Sequence, residues 1–187
     1  AARLDYTTAT VKSSEPQSLG RYKLLALLAT GGMAEIYLAR QTGIQGFERL
    51  VVVKKILPQL AKEQRFLDMF FDEARIAAQL THPNIVQIYD LGKEDETYFI
   101  AMEYLEGESL GYLIREANRA GHDLPPVLAA GMIAQVCDGL DFAHNLHDEH
   151  GQPLSSIHRY ISPQNIILLF SGGVKLVDFG IAKAASQ

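Results

Sequence analysis

The chain has 187 residues, of which 48% are hydrophobic and 21% are charged, and these values exclude a collagen-like or largely disordered protein. Acidic residues outnumber basic ones by 22 to 17, so the net charge of -5 gives the chain no general attraction to nucleic acid or to an anionic membrane. Cys137 is the only cysteine, which excludes an intrachain disulfide and leads us to expect a cytoplasmic protein.

A polar segment comes first, and short β-prone segments follow it. Residues 1–20 contain six Ser or Thr residues and few aliphatic ones, which predicts a flexible lead-in. From residue 21 onward, Gly-containing turns separate β-prone runs, a pattern that predicts an antiparallel meander. The predicted strands are Tyr22 to Leu28, Glu35 to Ala39 and Leu50 to Leu57.

One helix and two more strands are predicted next. Apolar residues recur at helical spacing from Gln64 to Leu80, and His82-Pro83-Asn84 ends this helix. Beyond it, Ile85 to Tyr89 and Tyr98 to Met102 predict two strands around the charged turn at residues 93–96.

The later part of the chain is mainly helical. Helices are predicted at Ser109 to Asn118 and at Leu124 to about Leu146, followed by strands at Asn165 to Phe170 and Val174 to Val177. The longest apolar run, Val127 to Ala134, has eight residues, whereas a membrane-spanning helix needs about 18 or more. We therefore expect no membrane segment in this chain. The order of elements predicts an α+β fold with a sheet-rich lobe, one helix in that lobe, and a helical second lobe joined to it near residues 105–108.

Two charged residues fall on predicted apolar faces. Strand alternation places Lys54 on the same face as Val52 and Ile56, and helical spacing places Glu73 on the apolar face of its helix. A charge on a buried face is costly unless it is paired. The sequence therefore predicts that Lys54 and Glu73 pair across the strand and the helix.

Several motifs occur in the order found in one enzyme family. They are Leu28-Ala29-Thr30-Gly31-Gly32-Met33-Ala34-Glu35-Ile36-Tyr37-Leu38-Ala39-Arg40, Val51-Val52-Val53-Lys54, Glu73, His82-Pro83-Asn84-Ile85-Val86, Met102-Glu103-Tyr104-Leu105, His158-Arg159-Tyr160-Ile161-Ser162-Pro163-Gln164-Asn165 and Asp178-Phe179-Gly180. Together they resemble the protein kinase superfamily, from about Tyr22 to Lys183, and most closely its bacterial Ser/Thr kinases. The resemblance implies a bilobal fold that binds Mg-ATP between its lobes and transfers the γ-phosphoryl group to a protein hydroxyl.

The resemblance also implies a role for each matched residue. Lys54 would hold the α- and β-phosphates and Glu73 would orient it, while Asn165 and Asp178 would bind Mg²⁺. The remaining matches would form the nucleotide pocket. They are Ala29, Gly31, Gly32 and Ala34 in the phosphate loop, Leu28, Ile36 and Val52 above adenine, Ile167 below it, Met102 behind it, Glu103 and Leu105 at the hinge, and Glu108 or Ser109 at the ribose. His158 and Phe179 would belong to an apolar spine under the site.

Some positions depart from the family pattern. Tyr160 stands where the family has its catalytic aspartate, and a phenol with a pKa near 10 is a poor general base at neutral pH. Ser162 replaces a lysine that steadies the γ-phosphate, and Ala29 and Ala34 replace glycines of the phosphate loop. These departures predict impaired transfer, with nucleotide binding weakened rather than abolished.

The resemblance divides the chain into a flexible segment at residues 1–20 and an incomplete kinase domain at residues 21–187. That domain has an N-lobe at 21–104, a hinge at 103–108 and a partial C-lobe at 109–187, because the family has further helices after Asp178-Phe179-Gly180. Three functions stay open: a nucleotide-binding pseudokinase acting through protein partners, a fragment or variant of an active Ser/Thr kinase, and an interaction scaffold that binds no nucleotide. Retention of Lys54 and Asp178 favours the first two.

Overall fold

The computed structural model describes residues 17–147 and 161–178, apart from the side chain of Glu73. Within these ranges the chain forms nine strands and three α-helices. In chain order they are β1 Ser18–Leu19, β2 Tyr22–Thr30, β3 Ala34–Thr42, β4 Glu48–Ile56, α1 Gln64–Ala77, β5 Ile88–Glu94, β6 Thr97–Glu103, β7 Gly107–Ser109, α2 Leu110–Arg119, α3 Pro126–His144, β8 Ile166–Leu169 and β9 Val174–Leu176.

The first lobe is an antiparallel sheet of six strands in the order β1-β2-β3-β4-β6-β5. Successive side chains of a strand point to opposite sides, so the apolar residues of the central strand β4 are divided between the two faces of the sheet. Val51 and Val53 pack with Tyr22 and Phe99 in one buried cluster. Ile56 lies on the other face, as predicted, where it packs in a second cluster with residues of α1.

Helix α1 covers one face of this sheet. Its residues Leu67, Phe70 and Ala74 are buried against Ile56 and Ile100. Full burial of an apolar side chain of this size stabilises a fold by about 1.5 to 3 kcal/mol. This packing fixes α1 beside the strand that carries Lys54.

The second lobe combines α2 and α3 with a three-stranded antiparallel sheet in the order β7-β8-β9. Met132 and Val136 of α3 pack against Ile166 and Leu176 of that sheet. Among the described helices, α3 alone is long and apolar enough to cross a membrane by length and composition. Its buried residues nevertheless belong to the core of this lobe.

The two lobes meet through the segment before β5. The Val86 N–H donates to the Leu176 carbonyl oxygen at 2.9 Å, and the Leu176 N–H donates to the Asn84 carbonyl oxygen at 2.8 Å. The side-chain amide of Asn84 also donates to the Val174 carbonyl oxygen at 2.8 Å. These bonds attach the loop that follows α1 to the strand that leads to Asp178.

The same contacts correct one predicted strand. We expected a strand at Ile85 to Tyr89, but β5 begins at Ile88. Ile85 and Val86 are β-branched residues typical of strands, and both are buried, but they bond to Leu176 of the other lobe rather than to the sheet. The prediction was wrong there because hydrophobic pattern and strand propensity indicate that a residue is buried, but they do not indicate which element it pairs with.

Other element bounds differ by a few residues. Helix α1 ends at Ala77 instead of Leu80, because the Gln79 and Leu80 N–H groups donate three residues back, as in a tighter 3₁₀ turn. At the other end of the lobe, β1 pairs with β2 and buries Leu19. Ser18 and Leu19, which the polar composition assigned to the lead-in, therefore belong to the sheet.

Candidate functional site

A cleft of about 500 Å³ lies between the two lobes. It is lined by predicted nucleotide-pocket residues from both lobes and from the segment that joins them. These are Leu28, Ile36, Val52, Met102, Glu103, Leu105, Glu108, Ile167 and Asp178. The structure therefore gathers residues that are up to 150 positions apart in the sequence (Leu28 to Asp178) into one site.

Six further residues line the cleft without having been predicted, namely Ala26, Leu27, Val86, Tyr104, Gly107 and Val177. Irregular pairing of β2 with β3 near Leu27 brings consecutive β2 residues to the cleft, which strict alternation does not anticipate. The glycine at position 107 is a feature of the sequence that could have pointed to a close backbone approach. A Cβ atom there would lie 2.3 Å from the Leu168 carbonyl oxygen, so only glycine lets the joining segment pass β8.

The polar end of the site is formed by Lys54 and Asp178. The Lys54 ammonium lies 3.0 Å from Oδ1 of Asp178, and only 13% of the Lys54 side chain is exposed. Asp178 has a φ of 54°, a left-handed backbone that is uncommon for a residue other than glycine and recurs at functional sites. This bend accompanies the contact between the Asp178 carboxylate and Lys54.

Asn165 is joined to this end of the site through its backbone. Its carbonyl oxygen accepts a hydrogen bond of 3.0 Å from the N–H of Val177, the residue before Asp178. An amide oxygen and a carboxylate are the donors that Mg²⁺ prefers in proteins. By residue type, the Asp178 carboxylate and the Asn165 side-chain amide therefore suit a magnesium ion, which would supply positive charge against phosphate oxygens.

The phosphate loop is tied to strand β4. The Gly31 N–H donates to the Ala34 carbonyl oxygen at 2.9 Å, and the Leu57 N–H donates to the Met33 carbonyl oxygen at 3.0 Å. A Cβ atom at Gly32 would contact nothing within 4 Å, so the protein's own packing leaves that position open. Ala34 is 3% exposed, so its methyl group is covered by protein. The weakening of nucleotide binding by Ala29 and Ala34 stays a prediction.

The hinge contains an ion pair that the sequence did not reveal. Oε1 of Glu103 lies 2.5 Å from the Lys175 ammonium and accepts the Gln87 N–H at 2.7 Å. Lys175 also donates to the Ile85 carbonyl oxygen at 3.2 Å. The sequence predicted a strand at Val174 to Val177, but nothing in it identified Glu103 as the partner of Lys175.

Only one of the two candidate ribose contacts lines the cleft. Glu108 does so, whereas the Ser109 hydroxyl accepts the Tyr112 N–H at 3.1 Å and caps α2. Capping satisfies one of the unpaired N–H groups at a helix start. Ser109 thus has a structural use for its hydroxyl.

Several predicted residues lie outside the described part of the structure. These are Tyr160, His158, Phe179 and the side chain of Glu73, whose backbone belongs to α1. The Lys54–Glu73 pair and the role of Tyr160 stay predictions. In the described ranges, no group of three or more His, Cys, Asp or Glu residues could hold a metal ion.

Comparison with known proteins decides the family. Residues 22–187 match the family model described as the protein kinase domain. The chain belongs to the protein kinase family. The antiparallel sheet lobe and the partial helical lobe are those of a bilobal kinase fold, as the sequence predicted.

Bacterial kinases are among the relatives of this kinase domain. Over 91% of its length it is 50% identical to "Tyrosine-protein kinase MasK" of Myxococcus xanthus, and over 90% it is 38% identical to "Serine/threonine-protein kinase PrkC" of Bacillus subtilis. It spans only about a quarter of these proteins, 26% and 24%. The crystal structure of the PknI kinase domain of Mycobacterium tuberculosis matches with a TM-score of 0.68 and 30% identity, over 91% of this chain and 64% of that one.

Proposed function

We propose that this kinase domain binds Mg-ATP between its lobes and that Tyr160 impairs phosphoryl transfer to protein. The observation that carries the proposal is the Lys54–Asp178 ion pair, which places an ammonium group against an aspartate that lines the mainly apolar cleft. Its setting is proposed to be cytoplasmic, where ATP is available and Cys137 stays reduced.

The shape and chemistry of the cleft support nucleotide binding. Small-molecule sites usually measure about 300 to 1,000 Å³ and are apolar with a few placed polar groups. Val52, Met102 and Ile167 offer apolar surface for a flat base, and backbone groups of the joining segment border the same space. Lys54 offers a positive charge to the phosphates of a nucleotide. Asp178 and Asn165 offer the oxygen ligands for the metal ion that a triphosphate requires.

The proposed impairment is based on the chemistry of Tyr160. A kinase needs a carboxylate to accept the hydrogen bond and proton of the attacking hydroxyl. A neutral phenol supplies no such charge at pH 7, and loss of a general base lowers a rate by about 10² to 10⁴. Tyr160 is also bulkier than aspartate and would occupy space meant for the acceptor.

The test compares wild type, Y160D and K54M in the full-length protein. We expect wild type and Y160D to gain thermal stability from Mg-ATP, and Y160D to transfer phosphate at least about 100-fold faster than wild type. K54M should lose both properties. Equal transfer rates in wild type and Y160D would contradict the impairment, and no stabilisation of folded wild type by Mg-ATP would contradict binding.

An active kinase is the second candidate, because the relatives include proteins named as kinases of both acceptor classes. It predicts that wild type already transfers phosphate at a rate Y160D does not exceed. The acceptor would be a protein hydroxyl, and peptides carrying either Ser and Thr or Tyr should be offered in parallel. A scaffold without nucleotide binding would show neither stabilisation nor transfer.

A further inference from the structure

Three side chains form a cluster directly behind the phosphate loop. Lys55 lies 2.9 Å from Oε2 of Glu35, and the Tyr37 hydroxyl donates to the same oxygen at 3.0 Å. The Lys55 ammonium also lies 5.1 Å from the centre of the Tyr37 ring. Lys55 is 9% exposed, so these partners replace most of its water. We call Glu35, Tyr37 and Lys55 the anchor cluster.

The anchor cluster lies on the face of the sheet opposite the cleft. In the β3–β4 register, Glu35 is opposite Lys55 and Ile36 is opposite Lys54. Since residues directly opposite each other share a face, Ile36 and Lys54 face the cleft while the anchor cluster faces away. The two consecutive lysines therefore have different surroundings and different partners.

The cluster joins the two elements that the proposed function brings to the phosphates. Glu35 is the first residue after the phosphate loop at residues 29–34, and Lys55 is the residue after Lys54. The backbone pairing of β3 with β4 and the bond from the Leu57 N–H to the Met33 carbonyl oxygen join the same corner, and the anchor cluster adds a side-chain connection to them. A partly buried ion pair with a second hydrogen-bond donor is a stiff connection, because breaking it leaves a charge with little water.

We propose that Glu35 and Lys55 are positioning residues that hold the phosphate loop at a set distance from Lys54, so that both meet the phosphates of one nucleotide. This inference rests on the proposed nucleotide binding. Loop and lysine are then ordered before the ligand arrives, which reduces the entropy lost on binding. The effect should fall on the phosphates alone, since the base lies among Val52, Met102 and Ile167.

The test measures ATP and adenosine affinity side by side, in the presence of Mg²⁺. E35Q should weaken Mg-ATP binding about tenfold and leave adenosine binding within about twofold of wild type. R40Q is the matched control, because Arg40 and Glu48 form a 3.4 Å ion pair at the far end of the same two strands, with both side chains well exposed. R40Q should change neither affinity.

The double variant E35Q/K55Q separates positioning from stability. It leaves no unpaired buried charge, so its stability should recover relative to E35Q, while ATP affinity should stay low because the connection is still absent. If E35Q does not fold, the ATP and adenosine affinities of the double variant provide the test instead. Recovery of ATP affinity together with stability, or an equal loss of ATP and adenosine affinity, would overturn the inference. Wild type that binds adenosine but no ATP would instead overturn the proposed function.

Discussion

The hinge ion pair permits a quantitative prediction for K175M. The Lys175 ammonium contacts Oε1 of Glu103 and the Ile85 carbonyl oxygen, so one side chain joins the hinge, the inter-lobe loop and β9. Methionine keeps the apolar length of lysine but removes its charge and its donors. The Glu103 carboxylate would then retain the Gln87 N–H as a partner and lose its counter-ion.

The expected loss follows from the burial of the pair. Removing one partner of a fully buried ion pair costs about 3 to 5 kcal/mol. The Lys175 and Glu103 side chains are 16% and 19% exposed, so some water can reach the carboxylate that remains. The Gln87 N–H offsets a further part. We therefore expect K175M to lower the free energy of unfolding by about 2 to 3 kcal/mol.

Urea denaturation followed by circular dichroism measures this loss. K175M/E103Q should recover part of it, since a neutral amide still accepts the Gln87 N–H and leaves no uncompensated charge. The control R119Q breaks an exposed ion pair with Glu116 on α2 and should cost about 0.5 kcal/mol or less. A loss for K175M no larger than for R119Q would refute the reasoning.

Three further predictions concern single residues. G107A should destabilise the fold by about 2 kcal/mol or more in urea denaturation, because its Cβ meets a backbone oxygen that cannot rotate away, whereas G131A in α3 meets nothing and should be neutral or slightly stabilising. S109A should cost about 1 kcal/mol through the lost α2 cap and leave ATP affinity unchanged in calorimetry, and a large loss of affinity would assign the hydroxyl to the ribose instead. The hydrogen bond from Lys55 lowers the pKa of Glu35 from its ordinary 4.5, so its stabilisation is present above that pH and is lost as the pH falls through the folded value. As the pH falls below 4.5 wild type should therefore lose more stability than E35Q, and equal acid slopes would contradict this.

Periodicity predicted the elements well where both faces of an element pack locally. The alternation in β4 correctly placed Ile56 and Val52 on the face shared with Lys54, because the core on either side of the sheet is made by neighbouring strands and α1. It failed at Ile85, whose partner Leu176 lies 91 positions later in the other lobe. Sequence pattern reports that a residue is buried, and it carries no information on which distant element covers it.

The candidate site shows the same division. Motif order identified most residues that line the cleft, because those residue types serve nucleotide chemistry directly. Lys175 escaped prediction, since a lysine that alternates with apolar residues in a short strand is usually solvent-exposed. The Ser109 cap escaped as well, because the same hydroxyl suits both a ribose and a helix start. Supporting contacts of this kind depend on three-dimensional proximity.

Calorimetric titration of the folded chain with Mg-ATP tests directly whether this domain binds the nucleotide. We expect saturable binding that depends on Mg²⁺, falls at least about tenfold in K54M and in D178N, and is unaffected by R40Q. Binding should also stabilise the chain, by about 2.7 kcal/mol at a ligand concentration 100 times Kd. The absence of binding at millimolar Mg-ATP, in a sample whose cooperative unfolding shows that it is folded, would contradict the proposed nucleotide binding.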